Sequence, residues 1–336
     1  MTWRAYELVY RVMSPVHIGW HTLGYIKLTR HYIPGKAMWG AFTANLSRSG
    51  QKDFHIEDYK VFGNLLRTNI LVSYFYPAID NGDGLQAILP QYTEEGFKYR
   101  KVGYKRPTPE ETLNQGVTSS EIAQKGRNGE YSKEEFERLF ISSFGQTAVL
   151  PENNTAEDKS LHESEFIMPT IEVGGKSKPV YFIGYLFIKD GVCTGNDRMA
   201  VGWEGAAINL KGPLSEIFVG GDRKYGWGRL SLDSEKTRTD VKKIFDIPLV
   251  LDKGRPELTI PSGRPIPAHV PINQGIRIKG DIEPLIGRVW GEVENKEKEK
   301  IVGFGQEITT SGICWMPGSI LSEQKAFHVC AYGVLE

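Results

Sequence analysis

From Val219 to Leu230 the chain reads Val219-Gly220-Gly221-Asp222-Arg223-Lys224-Tyr225-Gly226-Trp227-Gly228-Arg229-Leu230, with four glycines, three cations and two aromatic residues in twelve positions. Glycine lets a backbone pass close to a ligand or take positive φ, at an entropic cost to folding, so this density marks a loop. Arg223, Lys224 and Arg229 can neutralise phosphates, while Tyr225 and Trp227 offer faces on which a base can stack. Together these residues describe a loop that holds a charged polymer. Gly221 and Gly226 have the glycine spacing of a P-loop, but Trp227 and Gly228 stand where its lysine and hydroxyl residue belong. The dinucleotide glycine pattern is absent. The plain alternative is a hairpin turn, which needs glycine but not this cation density.

With 336 residues the chain suits about two domains. Its 40% hydrophobic and 24% charged residues are those of a globular protein. The longest apolar runs, such as Ile70 to Tyr76, fall far short of a membrane span, so no membrane association is expected. The N-terminal residues show no signal-peptide core. Cys193, Cys314 and Cys330 form no CxxC pair, which favours a reducing compartment, the cytoplasm, and neither zinc nor a disulfide framework.

Net charge is zero, from 41 cations and 41 anions, which argues against a free-standing nucleic-acid binder. The signs are segregated, however. No carboxylate occurs from Leu8 to Lys52, where Arg11, Lys27, Arg30, Lys36, Arg48 and Lys52 all fall. A second basic cluster, Lys98, Arg100, Lys101, Lys105 and Arg106, is interleaved with Phe97, Tyr99 and Tyr104. Acids gather over 130–137, 152–165 and 292–299. One polyanion face with other faces for protein neighbours fits this distribution.

Residues 5–12 read as a strand. Beyond Ile33-Pro34-Gly35, residues 36–46 have helical spacing, and the helix N-terminus near Gly35 offers N–H groups to a phosphate. Lys36 in that first turn suits the helix dipole poorly unless an anion sits there; otherwise it is a solvated lysine. Residues 69–76 are the next strand, ended by Pro77. From Asp80 to Leu161 polar residues dominate, with one helix after the capping box of Ser132 and Glu135, so an insertion outside the core is expected. Residues 179–188 form a long strand. A short helix with Leu214, Ile217 and Phe218 on one face follows, then the glycine loop, then a strand over 229–232. The sum is an α+β fold: a ferredoxin-like βαββαβ core over 1–235, as in RNA-recognition modules, with an insertion at about 80–161. Residues 236–336, proline-punctuated with short β-like pieces at 275–280 and 313–316, read as a smaller β-rich domain.

Three segments in order resemble the repeat-associated mysterious protein superfamily, the RNA-binding subunits of CRISPR effector complexes. Ser14 to Gly19 followed by Tyr32 to Phe42 resembles the family's opening strand, loop and first helix, with Lys36-Ala37-Met38-Trp39 where Ser-Ser-Leu-Lys is usual. Gln146 to Glu165 is similar to the segment before its third strand, with Gln146 where arginine is more usual. Gly220 to Arg229 resembles the signature glycine loop. Gly312 to Ser319 resembles a C-terminal turn of the members that seat the 5′ tag of the guide RNA at one end of a type III complex. The resemblance implies a guide-RNA-binding subunit with other protein subunits as partners, possessing no cofactor. RNA contacts are expected from Lys27, Arg30, His31, Lys36 and Trp39, and from Gly220, Gly221, Arg223, Lys224, Tyr225, Gly226, Trp227, Gly228 and Arg229.

Some members of that family cut RNA with a metal-bound aspartate in the loop before the first helix. No acid lies there, so a metal has no ligands at that place and no metal site is expected. Others process guide precursors with a histidine, which titrates near neutrality. His17, His21 and His31 are the candidates for that alternative, a metal-independent endoribonuclease. Phosphate binding or plain packing by these histidines is the simpler reading, and a subunit without catalysis is expected.

Overall fold

The computed structural model describes residues 2–49, 56–80, 84–102, 129–150, 152, 155–189, 200–203, 206–252, 254–272, 275–294 and 300–336. Lys52, Asp53, Asp83, Tyr104, Lys105, Arg106 and Cys193 lie outside them. The fold is α+β, mostly strands with few helices. Among the described residues no helix is long and apolar enough to cross a membrane.

Strand β1 (Trp3–Val12) enters a large antiparallel sheet. The hairpin of β2 (Gly19–Leu23) and β3 (Ile26–Thr29) follows, then helices α1 (Gly35–Ser49) and α2 (Ile56–Asn69). Short strands β4 (Ile70–Val72) and β5 (Tyr76–Asp80) return the chain to the sheet. The strand expected to end at Pro77 instead continues through it, with Pro77 opposite Phe182 and Ala78 opposite Tyr181.

The polar excursion beyond Asp80 is not an appendage. Its strands β6 (Leu85–Thr93), β7 (Gly96–Lys101) and β8 (Glu130–Ser132) extend the same sheet. Helix α3 (Lys133–Phe140), started by the expected capping box, buries Phe136 and Phe140 completely. Hydrophobic residues three or four apart put one helical face in the core while its charged face meets water. Strand β9 (Ile141–Gln146) pairs with β10 (His162–Ile167) in a smaller sheet that includes β2 and β3.

The central strand is β11 (Tyr181–Lys189), antiparallel to β1 from Trp3↔Lys189 to Arg11↔Tyr181. Its apolar run is unbroken because both faces are covered. Phe182, Leu186 and Ile188 join the cluster under the helices, and Ile183, Tyr185 and Phe187 join the one on the opposite face. Gly184 leaves room for the Phe75 ring, into which any Cβ would run. The helix expected near Leu214 is only five residues long, α4 (Lys211–Ser215); Ile217 and Phe218 lie instead in β12 (Glu216–Phe218). Strand β13 (Arg229–Leu232) pairs with β1 and β12, giving the order β12-β13-β1-β11-β5-β6-β7-β8, with β4 also on β11.

Residues beyond 235 cover the second face of this sheet. Strands β14 (Ile247–Val250), β15 (Glu257–Ile260) and β18 (Lys325–His328) bring Ile247, Leu258 and Phe327 against Tyr74, Tyr76 and Phe187. Between them runs a long two-stranded hairpin, β16 (Ile282–Glu294) with β17 (Lys300–Trp315). Only short pieces were expected here. Glycines at 287, 291, 303, 305 and 312 interrupt the period-two pattern, and two bulges shift the register.

Candidate nucleic-acid interface

The glycine loop is fastened by its backbone. Gly221 N–H donates to the His17 carbonyl at 2.9 Å, Gly228 N–H to the Pro15 carbonyl at 2.7 Å, and Val219 N–H to the Gly228 carbonyl at 2.9 Å. Gly220 and Gly228 have φ of +82° and +80°, and a Cβ on either would strike a carbonyl oxygen, of His17 and Val219 respectively. These two positions require glycine for conformation and for space. The loop therefore lies against the segment 13–18, far away in sequence.

That docking closes one wall of a groove of about 930 Å³. Val219 to Gly221 and Arg223 form the loop wall, and Lys36, Ala37 and Arg48 of α1 form the floor with Tyr59 of α2. Opposite stand residues 284–288 and Trp290 of β16, with 309–311 of β17; Trp20, His21 and Tyr332 complete the rim. Of the residues expected to bind RNA, the groove collects Arg30, Lys36, Gly220, Gly221 and Arg223. Among the described residues lining it, Glu283 is the sole carboxylate, against Arg30, Lys36, Arg48, Arg223 and Arg288.

These cations differ in availability. Arg223 and Arg48 are exposed and enter no ion pair among the described residues. Lys36 lies 5.1 Å over the Tyr332 ring and donates to the Thr309 hydroxyl, and burial lowers its pKa. Arg288 donates to the Gly305 carbonyl at 3.0 Å and stays exposed. Arg30 is committed: it holds Glu283 through two nitrogens, at 2.5 and 3.0 Å.

Glu283 is the centre of a buried network. Trp20 Nε1–H donates to it at 2.9 Å, and His269 Nε2 lies 2.6 Å from Oε1. Burial alone would raise the Glu283 pKa, but the hydrogen bonds from His269 and Arg30 outweigh it and hold the carboxyl at about 2. Burial pushes His269 below its usual range against the pull of Glu283. A neutral ring there donates at Nε2 and accepts at Nδ1 from the Tyr74 hydroxyl, 2.7 Å away. The root of the β16–β17 hairpin is thereby tied to the N-terminal connector.

Other expected contacts lie elsewhere. Trp39 is 7% exposed and donates to the Gly63 carbonyl, and Trp227 is 9% exposed against Phe166, so both indoles are packing residues without a free face for a base. Lys224 and Tyr225, the latter 72% exposed, sit with Arg223 on a 3-10 turn; they and Gly226 are outside the groove lining. Gly228 is buried where its N–H meets the Pro15 carbonyl. Arg229 pairs with Glu216 at 2.6 Å, and Lys27 is half-buried within β3. In the second basic cluster, Lys98 and Arg100 are paired with Glu130, at 3.8 and 2.9 Å. The helix N-terminus offered as a phosphate seat is crowded at Gly35 by the carbonyls of Val72 and Tyr332.

The three histidines separate clearly. The buried His17 ring bonds the Glu165 carbonyl through Nδ1 at 2.6 Å. His31 bonds the Tyr99 hydroxyl at 2.5 Å, and burial, then the Lys133 charge, push it down to about 4. Only His21 reaches the groove, its ring 4.5 Å from that of Trp20. Among the described residues no group of three His, Cys, Asp or Glu side chains is placed to hold a metal ion. Trp20, Tyr59, Glu283, Arg288 and Trp290 escaped the sequence reading, because no local motif links positions so far apart.

No protein-family model matches the chain, and no curated protein matches it. Among the solved structures similar to it are chains of a Cmr assembly and of Cmr4. One comes from the type III-B Cmr-beta bound to cognate target RNA and AMPPnP, with 10% identity over 94% of this chain and 85% of that one, at a TM-score of 0.43. Another, from the same assembly bound to cognate target RNA, has 10% identity over 68% and 96%, at 0.36. Oligomeric Cmr4 from Pyrococcus furiosus has 11% identity over 71% and 99%, at 0.30. With scores this low, any functional reading rests on the chain's own residues.

Proposed function

We propose that this chain is a non-catalytic, guide-RNA-binding subunit of a type III CRISPR ribonucleoprotein in the cytoplasm, the subunit that caps one end and holds the 5′ tag. The observation that carries it is the groove's charge. Four cations, Lys36, Arg48, Arg223 and Arg288, face a space whose single carboxylate among the described lining residues is already neutralised by Arg30. Such a surface attracts a polyanion, and the half-buried Trp20 and Trp290 supply ring faces along it. The three-segment resemblance names the polyanion as guide RNA and adds protein neighbours. A ferredoxin-like core is part of the proposal, supported by the order β13-β1-β11-β4 and by α1 and α2 between β1 and β4. Residues 1–235 would form that domain and 236–336 the second, which supplies the hairpin wall.

The test is binding of a fluorescent single-stranded guide RNA, with and without EDTA. The wild-type chain should bind without cleaving, and Arg48→Ala with Arg223→Ala should weaken binding at low salt. Unchanged affinity in the double variant would remove the groove from the site. A discrete RNA product formed in EDTA and lost in His21→Ala would replace this reading with the endoribonuclease.

A further inference from the structure

The β16–β17 hairpin meets the rest of the chain at separate places along its length. At the root, Glu283 is bonded to Trp20, Arg30 and His269, and Trp315 pairs with Val270. Farther out, Lys36 of α1 donates to the Thr309 hydroxyl and lies against Gly287, where a Cβ would strike its side chain. Gly287 and Thr309 face each other across the hairpin, so one lysine touches both members of a cross-strand pair. The register shifts between Pro284 and Ile286 and again between Val289 and Gly291, so the stretch that Lys36 grips lies between two irregularities. Such bulges interrupt the ladder and let a strand bend. At the outer one, Trp290 rests its ring on that of Tyr59, 6.1 Å away, a contact without charge.

The root and the Lys36 contact differ in charge. At the root a carboxylate and a guanidinium neutralise each other. Lys36 is answered by neutral groups, a hydroxyl and the Tyr332 ring at 5.1 Å. Burial lowers its pKa, as it does for an ammonium short of a counter-charge. A phosphate oxygen is a stronger acceptor for an ammonium than a hydroxyl is, and Arg48 and Arg223, exposed on the same groove, draw anions toward it. Resting on the guide-RNA reading above, we propose that Lys36 is a latch: it holds the hairpin across the empty groove, and a phosphate entering the groove takes over its ammonium and frees Ile286 to Val289 with Glu307 to Thr310. The backbone at the start of α1 is wedged at Gly35 against the Val72 and Tyr332 carbonyls, so the hairpin is the partner that moves. The root stays fastened, because Arg30 already has its counter-charge and Glu283 repels an anion.

Hydrogen–deuterium exchange of the full chain reads the latch directly, because amide exchange reports local opening. The probe is sodium tripolyphosphate, a short polyanion, against sodium chloride at equal ionic strength. In the wild-type chain tripolyphosphate should speed exchange over 286–289 and 307–310 by about 10-fold, the worth of one hydrogen bond from a charged donor, and leave Glu283 and Cys314 at the root unchanged. Lys36→Met should exchange that fast without the probe and give no further response. Gly287→Ala keeps the charge but pushes the lysine aside, and should behave in the same way. Wild-type exchange in both ligand-free variants would overturn the proposal, as would an equal response to tripolyphosphate in Lys36→Met and the wild type. The absence of any tripolyphosphate effect on the wild-type hairpin would overturn the latch while RNA binding stands. Failure of the wild-type chain to bind a guide-length single-stranded RNA would overturn the guide-RNA reading itself.

Discussion

The two walls of the groove are held by different kinds of bond. The glycine loop is secured by backbone hydrogen bonds to 13–18 and by glycines where a Cβ has no room. The β16–β17 hairpin is secured by side chains, Glu283 to Trp20, Arg30 and His269, and Lys36 to Thr309. The loop consequently keeps Arg223 free for a ligand, whereas the hairpin consumes Arg30 to seat its own carboxylate. Fastening by backbone leaves side chains available; fastening by side chains uses up charge that the sequence offers.

The comparison can be broken at either wall. Glu283→Ala should have the largest effect, because it strands Arg30 in a site where that side chain is 12% exposed. Removing one partner of a buried pair costs about 3–5 kcal/mol, readable as a lower urea midpoint. On the loop, Gly228→Ala should cost about 2 kcal/mol or more, since strained φ adds to the collision with Val219. Gly226→Ala has positive φ but open space, and should cost only about 1 kcal/mol by the same denaturation. Equal losses at the two glycines would show that Val219 is not the fastening.

Acid should loosen the hairpin wall selectively. Glu283 is held at about 2, below its ordinary 4.5, so its contribution is present above about 4.5 and is lost as pH falls toward 2. Burial holds His269 below 6.5, so as pH falls through 6.5 the unfolded chain takes the proton before the folded one and stability falls in the same direction. Stability measured by urea should therefore decline from pH 7 to 3. Glu283→Gln should flatten the lower part of that decline. A profile identical to wild type would remove Glu283 from the network.

The same contrast explains what could be read from the chain alone. β1, α1, β11, β13 and the glycine loop were legible because local period or glycine content dictates them. The hairpin wall was not legible: its glycines blur alternation, and Glu283 meets Arg30 across 253 positions. Trp39 and Trp227 carried a misleading signal, since an indole beside cations reads as a stacking face until packing buries it. Arg229 misled likewise, its charge being answered by Glu216.

The most direct test of the groove is the salt dependence of guide-RNA binding in single variants. Arg48→Ala and Arg223→Ala should each lower the slope of log affinity against log salt by about 0.7, one phosphate contact on a single strand. Arg229→Ala, already paired, should leave the slope where it was. Equal slopes for all three variants and the wild type would contradict the account.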